Sequence, residues 1–285
     1  MAHPIWKGYI TFGLVSIPVT LFTAINEAGS GPAFHFIDRR NKKRVKNMRV
    51  NEETGEEVPW TDIVKGYEYE KDKYVILSDE DFEKAAVQAN QVINIEEFVE
   101  KDKIDPLFYH KPYFLESEKK DEKGYVLLRE ILKKTGKAGV AKVVISKRQY
   151  LGAIFPEGNA LVMELLLFDN EIKTPDKFVF PAGTVSRYRI SDNEMEIAGK
   201  LIAMMSGAWK PEKYKDEYSE KLYQIIDKKI KQPNAVIKAP KPAAFTRYSD
   251  FMEILQKSVR QKEAALHDPE KSGVHKIRKV SEKIA

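Results

Sequence analysis

Residues 5–22 read IWKGYITFGLVSIPVTLF, and their apolar side chains fall first on even positions (Trp6, Ile10, Phe12, Leu14) and then on odd ones (Val15, Ile17, Val19, Leu21). Successive side chains of a strand point to opposite faces, so each half reads as a strand with one face buried. The change of phase beside Gly13 predicts a bulge or bend between two half-buried stretches. A curved sheet is the natural host.

Working outward from that stretch, runs rich in Val, Ile, Tyr and Phe recur at 74–77, 92–99, 113–115, 139–145, 150–155 and 161–168, separated by Pro, Gly or charged clusters. That number of strands suits a barrel or a sandwich. Helices are predicted over 79–86 behind Ser78, and over 122–134 with Tyr125, Leu128 and Leu132 on one face. After Tyr188 the pattern turns helical. Ser191 with Glu194 forms a capping box before the stripe Met195, Ala198, Ile202 and Met205, and Pro211 is predicted to open a second helix carrying Tyr214, Tyr218, Leu222 and Ile225. The fold class is therefore mixed α+β with a β core. Residues 232–244 hold three prolines and no periodic face, a linker composition, and a helix is predicted over 249–262 with Met252, Leu255 and Val259 on one side. The expected organisation is a body at 1–231, a Pro-rich linker at 232–246 and a helix with a basic tail at 247–285.

A chain of 285 residues, 42% of them hydrophobic, is long enough to bury a sizeable core. Lys and Arg number 48 against 43 Asp and Glu, and the net charge of +5 is modest. Its distribution says more. Residues 232–285 hold eleven basic and six acidic side chains while the rest of the chain holds thirty-seven of each, so the whole excess lies in the tail. The absence of cysteine removes disulfide scaffolds, thiolate metal sites and cysteine nucleophiles together, and points to a cytoplasmic address. The longest apolar run, 160–168, is interrupted by Glu164, and the first residues lack a signal pattern, so neither membrane insertion nor secretion is expected.

Catalytic constellations are nearly missing. No phosphate-binding loop, dinucleotide fingerprint, nucleophile elbow or helical His pair is present, and five scattered histidines offer no metal-ligand spacing. Asp105 with Glu118-Lys119-Lys120 loosely resembles the carboxylate and Glu-x-Lys of metal-dependent nucleases, but these residues read better as a turn and a solvated charge run. No catalytic residue, cofactor or metal is expected. The basic clusters are better candidates. Residues 38–49, DRRNKKRVKNMR, place Arg39, Arg40, Lys42, Lys43, Arg44, Lys46 and Arg49 around one acid, the kind of run that suits sequence-independent contact with phosphates. A second run, with Lys137, Lys142, Lys147 and Arg148, falls on a strand and its exit.

Several blocks converge on one family. IWKGYITFGLVSIPVTLFTA, GEEVPWTDIVKGYEYEKDKYVILSDEDFEKAA, IDPLFYHKPYFLE, YVLLREILKKTGKAGVAKVVIS and MSGAWKPEKYKDEYSEKL together resemble bacterial Ku, over about residues 5–230. The resemblance implies a β-barrel core and a homodimeric ring that threads double-stranded DNA ends in non-homologous end joining. It implies a bridge over the duplex at 25–75, where the dense basic run lies, and pairing of subunits through the helices from Ser191, with Met195, Ile202, Met205, Leu222 and Ile225. Some members carry a Cys-x-x-Cys in the bridge where this chain has Asn51-Glu52-Glu53-Thr54, so a metal role there is not expected. The C-terminal region would recruit the ATP-dependent ligase of the pathway, ligase D, with Phe251, Met252 and Leu255 as apolar anchors. The rival readings are a nucleoid or RNA-binding module working through the basic tail and, more weakly, the nuclease.

Overall fold

In a computed structural model, Trp6–Phe12 (β1) and Val15–Thr23 (β2) are the two arms of one antiparallel hairpin, turned at Gly13 and Leu14. The bend expected beside Gly13 is thus a complete reversal. A two-residue turn sets even positions of β1 opposite odd positions of β2, as in the pairs Ile10 with Ile17, Gly8 with Val19 and Trp6 with Leu21. The phase switch in the sequence is what this turn length requires if both strands bury the same face. Gly13 takes the left-handed conformation at φ 58°, and Leu14, counted among the apolar positions, stands fully exposed at the tip.

The structure describes residues 3–26, 31–85, 91–118, 121–233 and 251–267, which fall into two compact units, 1–177 and 178–285. In the first unit, β1 and β2 join Val92–Glu100 (β5), Tyr109–Ser117 (β6), Lys137–Ile145 (β7), Arg148–Glu157 (β8) and Ala160–Leu166 (β9) in a closed barrel. The order around it is β1-β2-β6-β9-β8-β7-β5. Seven strands cannot alternate in direction all the way round a ring, so one junction must be parallel. It is β1 with β5, at Tyr9 with Val92 and Thr11 with Asn94. The backbones approach closely at that junction: a Cβ on Gly8 would lie 2.0 Å from the Gln91 carbonyl oxygen, and the Tyr9 N–H donates to the same oxygen at 2.9 Å. Between β2 and β5 lie a two-stranded hairpin, Lys65–Glu70 (β3) with Lys73–Leu77 (β4), and a short helix, Asp79–Ala85 (α1), capped by Ser78 as expected.

Alternation fills the barrel. Ile17, Val19 and Leu21 of β2, Val143 of β7, and Leu161, Met163 and Leu165 of β9 all point inward and are buried. Each such side chain contributes on the order of 1.5–3 kcal/mol by leaving water. The helix Glu122–Thr135 (α2) adds Tyr125, Leu128 and Leu132 to the same core, the face its spacing predicts. The Tyr125 hydroxyl donates to the Leu115 carbonyl at 2.7 Å and accepts from the Leu161 N–H at 2.6 Å, tying the helix to β6 and β9 where a buried phenol needs partners.

The second unit contains the helices Asp192–Met205 (α3), Glu217–Lys231 (α4) and Phe251–His267 (α5). The Ser191–Glu194 capping box forms as its sequence predicts, Ser191 N–H donating to Glu194 Oε2 at 2.7 Å. Pro211, in contrast, opens only a 3-10 turn to Lys213, and α4 starts at Glu217 behind Asp216, whose carboxylate accepts from the Ser219 N–H. Most of the Pro-rich linker, 234–246, lies outside the described residues. Helix α5 packs on α3 and leaves Leu255 only 9% exposed.

A second, smaller apolar cluster forms on the barrel around Ala153, Phe155, Val162 and Leu166, with Ile104 and Phe108 against it. Glu164, between Val162 and Leu166 in sequence, is 9% exposed. Its neighbour β6 carries an extra residue there: Tyr109 pairs with Leu166 and Lys111 with Leu165, so His110 bulges out of the ladder. The Glu164 carboxylate accepts from the His110 N–H, and burial holds its pKa above the ordinary carboxylate value against that hydrogen bond. A carboxyl raised on folding takes up protons with the fold, so its contribution to stability declines as pH rises from the ordinary value through the raised one. Glu164→Gln keeps an acceptor for His110 without the charge. The variant is expected to melt above the parent at pH 7.5, with the gap closing as pH falls toward 4.5, the ordinary value; a lower Tm for the variant at both pH values would contradict this.

Candidate nucleic-acid interface

The chain leaves the barrel after β2 and re-enters it at β5, and from residue 31 to residue 77 no side chain is buried. Phe34, Phe36, Met48, Trp60, Tyr67, Tyr69, Tyr74 and Ile76 are all exposed. An isolated two-stranded hairpin is marginal in water, and exposed apolar surface on this scale marks a contact surface. The region is an arm without a core of its own.

Its shape comes from side chains bonding to backbone. Asp38 N–H donates to the Lys43 carbonyl and Lys42 N–H to the Asp38 carbonyl, while the Asp38 carboxylate accepts from Arg40 N–H and the Asn41 side-chain oxygen from Lys43 N–H. Thirteen residues on, the same bonds recur: Asn51 N–H to the Glu56 carbonyl, Gly55 N–H to the Asn51 carbonyl, Glu53 N–H to Asn51 Oδ1 and Glu56 N–H to Thr54 Oγ1. Each turn is closed by a bridge, Ile37 with Arg44 and Val50 with Glu57, and each has a left-handed residue at its fifth position, Lys42 at φ 58° and Gly55 at φ 71°. The arm therefore holds two knuckles of one design, and Asn51 and Thr54 close theirs by hydrogen bonds.

The knuckles carry opposite charge. The first presents Arg39, Arg40, Lys42 and Lys43, and the second Glu52, Glu53 and Glu56. Arg40 grips Asp38 through Nε and Nη2 at 2.8–3.2 Å, and this bond, with that from the Arg40 N–H, holds the Asp38 carboxyl below the ordinary range. Arg49 lies over the Trp60 ring, 4.1 Å from its centre. Arg39, Lys42, Lys43, Arg44 and Lys46 are exposed and have no acidic partner among the described residues. A row of unmatched cations on an exposed arm is the electrostatic footprint of a phosphate-binding surface.

The second basic run is different. Lys142 pairs with Glu96 at 3.0 Å, Lys147 with Glu83 at 3.4 Å and Arg148 with Glu171 at 3.1 Å, and Lys137 stands in register with Glu100. Acids distant in sequence thus match a run that contains none of its own, and its surface is close to neutral. Exposed pairs of this kind hold weakly, so these cations remain exchangeable.

The carboxylates of the nuclease reading do not meet. Asp105 caps the turn that starts β6, accepting from Leu107 N–H at 2.9 Å, and Glu118, just past its other end, pairs with Lys7 at 2.7 Å. The nine residues of β6 lie between them, a separation of about 30 Å at ~3.3 Å per residue. One ion cannot bridge it, which overturns that reading. The described residues contain no group of three side chains suited to a metal, and no helix among them is long and apolar enough to cross a membrane.

In the helical unit, Met195, Ile202 and Met205 of α3 are exposed, whereas Leu222 and Ile225 of α4 are half-buried. On α5, which packs on α3, Leu255 is buried and Met252 is half-buried; the side chain of Phe251 lies outside the described residues. Sequence reasoning missed the knuckle pairing and the Arg49–Trp60 contact. The spacing of Asp38 and Asn41, repeated by Asn51 and Thr54, was the available signal, hidden because the residue types differ.

The family model for the Ku70/Ku80 β-barrel domain matches residues 11–197. The chain is 44% identical over 264 residues to the non-homologous end joining protein Ku of Coxiella burnetii, covering 92% of this chain and 96% of that protein. It is 39% identical over 258 residues to the protein of the same description from Opitutus terrae, with 90% and 91% covered, and 38% identical over 229 residues to that of Pseudomonas aeruginosa, with 80% and 77% covered.

The knuckle geometry has a direct test. Asp38→Ala removes both the acceptor for the Arg40 N–H and the charge that orients its guanidinium, while Asp38→Asn keeps the acceptor. Trypsin is expected to cleave between 39 and 46 several-fold faster in the Ala variant and close to the parent rate in the Asn variant. Equal rates in all three proteins would mean that the side chain does not shape the turn.

Proposed function

The chain belongs to the Ku family, and we propose that it binds double-stranded DNA ends without sequence preference, as a non-enzymatic homodimeric ring acting in non-homologous end joining in the bacterial cytoplasm. The observation that carries this reading is the arm: it has no core, and Arg39, Lys42, Lys43, Arg44 and Lys46 are exposed and unmatched there. Such cations displace counterions from any phosphate backbone and read no bases, so they supply affinity without specificity. Arg40 and Arg49, already oriented by Asp38 and Trp60, add positioned contacts, and Lys137, Lys142, Lys147 and Arg148 contribute where phosphates displace their carboxylates. A surface on the arm also favours this reading over one that relies on the basic tail.

The dimer is supported by what the second unit lacks. Among its described residues only Leu255 and Ser219 are buried, while Met195, Ile202, Met205 and Tyr218 are exposed. A unit with so little interior needs a partner surface, and a second copy offers a closed, two-fold one. Leu222 and Ile225 of α4 complete the proposed pairing face. The body at 1–231 is proposed to form the ring, and the region at 247–285, beyond the linker at 232–246, to recruit ligase D. Because α5 packs on α3 and buries Leu255, docking through Phe251, Met252 and Leu255 requires α5 to give up its packing for the ligase.

A gel shift comparing blunt linear duplex with covalently closed circular duplex of the same sequence tests the ring, since a closed ring admits DNA only at an end. Tight binding to the circle would defeat it. Replacing Arg39, Lys43, Arg44 and Lys46 with Ala is expected to weaken binding equally for all sequences and to flatten log K against log salt by about 0.9 per lost phosphate contact. An unchanged slope would place the knuckle away from the duplex. Deleting residues 233–285 is expected to leave end binding in place and abolish stimulation of the ligase; stimulation that survives would move the docking surface onto the barrel.

A further inference from the structure

Between α3 and α4 the loop MSGAWKPEKYKDE brings two aromatic rings together. Lys213 N–H donates to the Lys210 carbonyl at 3.1 Å and Tyr214 N–H to the Pro211 carbonyl at 3.0 Å, and this turn stacks Trp209 on Tyr214 with ring centres 5.2 Å apart and planes 23° from parallel. Each ring covers one face of the other and leaves its outer face open: Trp209 is 76% and Tyr214 71% exposed. Lys210, Lys213 and Lys215 flank the pair and have no acidic partner among the described residues. The nearby acids are largely committed, Asp216 to the cap at Ser219 and Glu217 to Lys221 at 2.9 Å, which leaves Glu212 alone.

We infer that the Trp209–Tyr214 stack is a platform for an unpaired nucleobase at a DNA end, with the three lysines holding the phosphates on either side of it. The inference rests on the reading of this chain as an end-binding protein and adds what the arm does not supply, a group that distinguishes an overhang from continuous duplex. Within a duplex both faces of every base are covered by neighbours, so an aromatic platform has nothing to stack on. An unpaired base offers a free face, and stacking accepts any of the four bases. A second protein surface would have a different composition around the rings, because lysine is depleted from the centres of protein interfaces. The stack is also already formed, so no side-chain ordering is required when a base arrives.

The test uses the full-length protein with two duplexes, one blunt and one with a short 3′ overhang carrying 2-aminopurine. The parent is expected to quench the overhang fluorophore. Trp209→Ala combined with Tyr214→Ala is expected to abolish quenching and weaken overhang binding roughly tenfold, the scale of one base–aromatic stack. Affinity for the blunt duplex and the sedimentation coefficient are expected to stay at parent values, and Trp209→Phe to retain most of the quenching. Equal weakening on both duplexes, a change in oligomeric state, or no change at all would each overturn the platform. A parent that binds both duplexes without quenching removes the platform alone, whereas a parent that binds neither removes the end-binding reading with it.

Discussion

The parallel junction between β1 and β5 is the constraint on which the rest of the first unit depends. Seven strands close only if one pair runs in the same direction, and here the strand inserted beside β1 returns from a long excursion. Because β5 runs parallel to β1 and β2 antiparallel to it, the end of β2 and the start of β5 lie at the same end of the barrel, one on each side of β1. Two strand spacings separate them sideways and a stagger of five residues, from the level of residue 4 to Tyr9, separates them along β1, a gap of about 20 Å in all. A few residues would span that gap. The chain instead spends residues 24–91 on it, so the arm's length answers no requirement of the barrel and has to be explained by something the arm touches.

That explains why the arm is built as it is. A segment that must stand away from the core cannot draw stability from burial, and none of its residues from 31 to 77 is buried. Local hydrogen bonds replace it: Asp38, Asn41, Asn51 and Thr54 accept from backbone N–H groups two residues on, in the manner for which Asx and Thr side chains are favoured in turns. Such turns fix the tips and leave the exposed apolar side chains between them for a partner. The helical unit has the same economy of interior, with α3 and α5 packed together, Leu255 of α5 buried, and Met195, Ile202 and Met205 of α3 exposed.

How much of this the sequence disclosed follows from which interactions are local. The β-type runs at 139–145 and 161–168, the α2 face at Tyr125, Leu128 and Leu132, and the Ser191–Glu194 box were legible because local composition, a period or a fixed spacing encodes them. The phase switch at Gly13 was legible as an event but not as a turn, since a bulge and a two-residue hairpin shift parity alike. Long-range matches were not legible. Lys142 finds Glu96 across the β5–β7 ladder and Arg148 finds Glu171 across a loop, and no spacing along the chain announces either. The same holds for Glu164, whose hydrogen-bond donor is His110, the residue left over at a bulge in the neighbouring strand.

The two knuckles make the division between scaffold and function explicit. The accepting side chains sit at the first and fourth residues of each turn, and the second and third supply no acceptor, so the backbone accommodates Arg39-Arg40 at one and Glu52-Glu53 at the other without a change of geometry. Net charge over the arm therefore says little, because the two tips offset one another; only their separation carries information. A polyanion approaching the arm is drawn to the first tip and repelled by the second, which gives the arm an electrostatic direction before any side chain touches a phosphate. Ion pairs within a tip weaken that direction, and the first knuckle holds one among the described residues: Arg40, committed to Asp38, is neutralised, and it is the cation whose guanidinium the turn itself holds in place.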